Sequence, residues 1–103
     1  MTSKLWLQVS LSNNLSKKKK IKILVNDEDY ETAFNDLKEA CSNVLRNHIK
    51  SGELPDLVMV YKSEDNLLDG DVIQLDEGDD FEGMLDEYPG GKGVRVIINT
   101  DGE

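Results

Sequence analysis

The chain has 103 residues, 38% of them hydrophobic, and a formal net charge of -9. That length suits one domain over 1–103, with one modest core, and leaves no room for two. No apolar run approaches the ~20 residues of a membrane span, and no signal-type apolar stretch follows Lys4. Cys41 is the lone cysteine, which excludes an intramolecular disulfide. The expectation is a soluble cytoplasmic or nuclear protein with no membrane partner.

In chain order, Leu7, Val9 and Leu11 alternate with polar residues, the period of a half-buried strand over 5–11. Residues 12–20 are Ser, Asn and Lys apart from Leu15, which reads as a hairpin connection. Ile21, Ile23 and Val25 alternate again and predict a second, antiparallel strand. From Tyr30 the pattern changes. Ala33, Phe34, Leu37, Cys41, Val44 and Leu45 recur at helical spacing, with Asp27 or Asp29 as cap and Gly52 and Pro55 as stops. Leu57 to Tyr61 is a continuous apolar run, which suits a central strand covered on both sides. Asp69-Gly70-Asp71 is a turn, followed by a short strand of Val72, Ile73 and Leu75. Phe81, Met84 and Leu85 predict a short helix. After Pro89, Gly90, Gly91 and Gly93, a last strand runs from Val94 to Ile98. The expected core comprises Phe34, Leu37, Cys41, Val44, Val58, Val60, Ile73, Phe81, Val96 and Ile98. Strands grouped around one long helix make this an α+β domain. The expected architecture is a ubiquitin-like β-grasp, a mixed sheet of four or five strands with one long and one short helix.

Charge is segregated along the chain. Residues 1–26 hold six lysines and no acid, whereas residues 64–87 hold eleven acids and no base. Those acids interleave with Val72, Ile73, Leu75, Phe81 and Leu85, the pattern of a folded acidic surface rather than a disordered tail.

Residues 61–85 resemble the acidic motif of Phox/Bem-one domains, β-grasp modules that pair head to tail. Tyr61 matches a strand-end tyrosine, Asp69, Gly70 and Asp71 match the turn, and Asp79, Asp80 and Phe81 match the start of the short helix. Two departures stand out: Asn66-Leu67-Leu68 before the turn, and Gly78 where an acid is common. Gln8 stands where the family's basic face carries a lysine, so the resemblance implies the acid-bearing type. It implies a non-catalytic scaffold, adaptor or signalling module whose partner is a protein with a basic surface, such as another domain of the same family. The acidic face would comprise Glu64, Asp65, Asp69, Asp71, Asp79 and Asp80. Lys19, Lys20 and Lys22 are candidates for a second, basic face. Adaptor domains of this type usually sit inside larger chains, which is the expectation here too.

Other classes fit less well. The acids miss the calcium-loop template, and His48 has no companion ligand at metal spacing, so neither metal nor cofactor is expected. Ser, His and Cys form no nucleophile–base constellation, so neither an enzyme nor a small-molecule substrate is expected. Lys17 to Lys20 lack interleaved aromatics in a strongly acidic chain, which argues against nucleic acid. Gly90-Gly91 has the composition of a ubiquitin-like modifier tail but precedes a predicted strand. A generic ubiquitin-like domain with another binding surface, or a modifier, is the alternative.

Overall fold

The computed structural model describes residues 2–26, 28–48, 57–67 and 72–99. β1 (Thr2–Leu11) and β2 (Asn14–Asn26) form an antiparallel hairpin, and α1 (Tyr30–His48) follows. A 3-10 turn at Glu64–Asn66 follows β3 (Met59–Ser63), and β4 (Ile73–Gln74) comes next among the described strands. α2 (Gly78–Glu87) and a second 3-10 turn at Pro89–Gly91 precede β5 (Val94–Ile98). The sheet order is β2-β1-β5-β3-β4, with β1 and β5 parallel and the other pairs antiparallel. This is the architecture of a ubiquitin-like β-grasp: five mixed strands, one long helix and one short one.

The core lies between one sheet face and the two helices. Leu5, Leu7 and Val9 of β1 and Ile23 and Val25 of β2 meet Ala33, Phe34, Leu37, Cys41 and Leu45 of α1. Phe34 packs against Phe81 of α2, with ring centroids 6.2 Å apart. Burial pushes the Cys41 thiol up to about 12, the behaviour of a small hydrophobe. At the start of α1, the carboxylate of Asp29 accepts from the backbone N–H and the hydroxyl of Thr32. That satisfies a helix-end donor and holds the Asp29 carboxyl below its ordinary value. Asp27, Gly52 and Pro55 lie outside the described residues.

Four expectations need correction. Residues 14–20 are strand rather than loop, and a two-residue turn at Ser12 and Asn13 joins β1 to β2. β2 is an edge strand, so its lysines remain solvated without breaking the pairing. In β3 the buried residues are Met59 and Tyr61, while Val60, and Val58 just before the strand, are only half-buried. Five consecutive apolar residues carry no period from which to choose a face. The strand buried along its whole length is β5, the middle member of the sheet, not β3. Lastly, Ile73 is 41% exposed, because β4 is a two-residue edge strand, and Val44 is only partly buried. Leu75 does face inward, its N–H donating to the carbonyl of Met59 at 2.9 Å.

Candidate functional site

α2 starts with a local device. The carboxylate Oδ2 of Asp80 accepts from the backbone N–H groups of Asp76 (3.0 Å) and Glu77 (3.1 Å), fixing the entry to the helix. The next residue, Gly78, explains the departure noted above. A Cβ at this position would lie 3.0 Å from the Cα of Glu31 in the first turn of α1. Any side chain there would press on the backbone of α1, so glycine lets the two helix starts come together.

The consequence is a shared acidic depression of about 530 Å³ between the starts of α1 and α2. Glu28, Asp29 and Glu31 line it from α1 and the residues before it, and Asp76, Glu77, Asp79 and Glu82 from α2 and its approach. Lys38, the one base among the lining residues, lies with its ammonium 5.3 Å from the Phe34 ring centroid. Helix N-termini carry partial positive charge, which lets so many carboxylates share a small area. These carboxylates are exposed, and they accept hydrogen bonds only.

The six expected acids divide. Asp79 is exposed and lines the depression, and Asp80 is half-buried with its Oδ2 engaged in the cap. Asp65 is exposed on the 3-10 turn after β3. Asp69 and Asp71 lie outside the described residues. Glu64 is turned to an internal task. Its two oxygens accept from Nε and Nη2 of Arg95, both at 2.7 Å. Arg95 is 2% exposed, and its Nη1 donates to Ser10 Oγ and to the carbonyl of Leu15, both at 2.9 Å. The Ser10 hydroxyl in turn donates to the Lys17 carbonyl at 2.6 Å. This network ties the turn after β3 to β5 and to the beginning of β2. It also supplies partners for backbone carbonyls where the β1–β2 register shifts, between Val9 and Leu11. Tyr61 stands in the middle of β3 rather than at its end, because the strand runs on through Lys62 and Ser63; it is buried, edge-on to Tyr88 at 6.3 Å. Burial raises its hydroxyl above the ordinary value, reinforced by the charge of Glu87.

The three candidate lysines do not share a face. Lys20 and Lys22 pair with Gln8 and Trp6 on the sheet face away from α1, where Trp6 is 54% exposed. Lys19 pairs with the buried Val9 and therefore lies on the α1 side. Sequence reasoning missed Glu28, Asp29, Glu31, Asp76, Glu77 and Glu82 as members of the acidic site. The one available signal was that acids precede both helices.

Among the described residues, no group of three or more His, Cys, Asp or Glu side chains is arranged to hold a metal ion. Nor is any described helix long and apolar enough to cross a membrane. No protein-family model, curated protein or solved structure matches the chain.

Proposed function

We propose that the chain is a non-catalytic protein-interaction module that presents its acidic face to a basic surface of a partner protein. The observation that supports this best is the convergence of seven carboxylates from two helix starts around a single lysine. Crowded carboxylates repel one another in the free protein, and a partner's Lys and Arg side chains relieve that repulsion through charge-assisted hydrogen bonds. The α1 and α2 starts pack closely against each other, which reduces the ordering that binding requires. The resemblance to Phox/Bem-one domains extends the reading to a scaffold, adaptor or signalling role, with a basic β-grasp domain as the partner class. The contact differs in place from the one the sequence motif implies. It is centred on Glu31 and Asp79, and Glu64 is excluded because Arg95 occupies both its oxygens.

The test is capture of partners from lysate at low and high salt, followed by titration calorimetry against the captured protein. Individual exposed ion pairs contribute only about 0–1 kcal/mol, so affinity must come from several together and fall as salt rises. Glu31→Lys with Asp79→Lys should abolish binding while leaving the circular dichroism spectrum intact. Undiminished binding by that folded variant would sink the proposal.

A second reading, a ubiquitin-like domain that binds through another surface, has one observation in its favour. Val60, Ile97, Val72 and Leu15 line a shallow depression on the sheet face away from α1, and Val72 is exposed. The modifier variant of that reading fits less well, because Gly91 is buried against β1 and β5 follows it.

A further inference from the structure

The geometry points to a small-molecule site on the sheet face away from α1, for a nucleoside monophosphate. It lies apart from the acidic depression and does not rest on the function proposed for it. Between β1 and the glycine turn at Pro89–Gly91 there is a pocket of about 500 Å³, within the size range of small-molecule sites.

Three features of its lining describe the occupant. The first is an orphaned acceptor. Gln8 Oε1 is buried and has no hydrogen-bond partner among the described residues. Arg95, the neighbour of Gln8 across the sheet, directs its guanidinium to Glu64, Ser10 and Leu15 instead. A buried amide oxygen without a donor is destabilising, so this pocket asks for a ligand N–H. A lysine at the same position would ask for an anion; glutamine inverts the demand.

The second is Trp6, which lines the pocket and is 54% exposed. An uncovered indole offers a face on which a flat ring stacks. Gly90, Gly91 and Gly93 also line the pocket, and their lack of side chains leaves width for such a ring. The third is charge. Lys4, Lys20 and Lys92 stand exposed around the pocket. The one acid among the described lining residues, Glu64, is already paired with Arg95. In a chain whose net charge is -9, this is a local field that favours an anion.

A nucleoside monophosphate answers all three. Its base stacks on Trp6, an N–H at the base edge donates to Gln8, and its phosphate meets the lysines. A partner's Asp or Glu would meet the lysines but bring Gln8 no donor. A partner's Lys or Arg would bring the donor but face three like charges.

Trp6 is the only tryptophan of the chain, so its emission reads the site directly. The probe is AMP, titrated into the full chain, with amide chemical shifts as a second reading. The controls are purine riboside monophosphate, which lacks only the amino donor of the base, adenosine, which lacks the phosphate, and inorganic phosphate. The expected result is saturable quenching by AMP, with shifts at 4–8, 20 and 90–94. The purine control should bind roughly tenfold more weakly, the worth of one hydrogen bond to an otherwise unpaired acceptor. In Gln8→Leu the two should bind alike, and Lys20→Gln should weaken AMP but not adenosine, with circular dichroism as the folding control. If Gln8→Leu unfolds, the wild-type comparison of AMP with the purine control decides alone. Equal binding of those two to the wild type would overturn the inference. So would an absence of saturable binding, equal displacement of AMP by inorganic phosphate, or far tighter binding of a short adenine RNA, which would make the surface one for nucleic acid.

Discussion

Removing the Glu64 carboxylate should destabilise the domain far more than the loss of a surface ion pair. In Glu64→Ala the guanidinium of Arg95 remains 2% exposed but loses two hydrogen bonds of 2.7 Å. Breaking a buried pair by removing one partner costs about 3–5 kcal/mol, because the other charge stays desolvated. The Glu64 side chain is itself 25% exposed, so water reaches its end of the pair and the lower end of that range, about 3 kcal/mol, applies. Two charge-assisted hydrogen bonds at about 1.5–3 kcal/mol each give the same order. In a domain of this size that corresponds to a melting temperature lower by roughly 10–20 °C. Urea denaturation at pH 7 provides the measurement, with Arg95→Met and the double variant closing a thermodynamic cycle. Arg95→Met should add a local effect, faster amide exchange over 14–18, because the Leu15 carbonyl and Ser10 lose their donor. A loss below about 1 kcal/mol in Glu64→Ala, or simple additivity in the double variant, would place the pair among ordinary surface contacts and refute the reasoning.

Three further outcomes are expected. The Cys41 thiol is held neutral by burial up to about 12 in the fold, against an ordinary 9.0. Only the unfolded chain releases that proton between these values, so stability is intact below pH 9 and falls above it by up to about 1.4 kcal/mol per pH unit. Cys41→Ala should flatten this alkaline limb in denaturation curves taken from pH 8 to 11. The Asp29 carboxyl titrates below its ordinary 3.8, chiefly through its bond from the Thr32 hydroxyl. Its contribution is present above that value and lost as pH falls through the lower, folded one, so wild type and Asp29→Ala should converge in stability in acid. Gly91 has φ of 71° and a Cβ there would lie 2.6 Å from Leu7 Cδ2. Gly91→Ala should cost about 1–3 kcal/mol by urea denaturation, whereas Gly90→Ala, with open space around it, should cost less.

Period-two alternation was enough to locate β1 and the second half of β2, and period 3.6 located α1, because each buries one face; β5 was located by its valines and isoleucines although both its faces are buried. Element order then led to the β-grasp. The failures have specific causes. The first half of β2 was hidden because an edge strand with solvated side chains carries no apolar signal, and its turn at Ser12-Asn13 has no glycine. The face of β3 was misread because Leu57 to Tyr61 has no polar residue to mark the outside. Burial of Arg95 was illegible because its counter-charge comes from Glu64, a whole helix and strand away in the chain. The acidic site was legible as composition but not as geometry. The linear run 64–87 splits in three dimensions, with Glu64 folding inward and Asp76 to Glu82 joining acids from the start of α1. Gly78 makes that junction, and its role depends on a contact with Glu31 that no local pattern announces.

The parallel pairing of β1 with β5 has a consequence for how the chain acquires its structure during synthesis. β1 leaves the ribosome well before β5 and waits for it, because Val9 and Leu11 find their neighbours in Val96 and Ile98. Until β5 emerges, the β1–β2 hairpin and β3 have no common partner, since β5 is the strand that separates and joins them. Contacts this distant in sequence are slow to form and leave strand edges exposed meanwhile. A nascent chain halted before Val94 should therefore hold a helix and a hairpin but no closed sheet, and the lysines of β2 would guard its longest open edge throughout that interval.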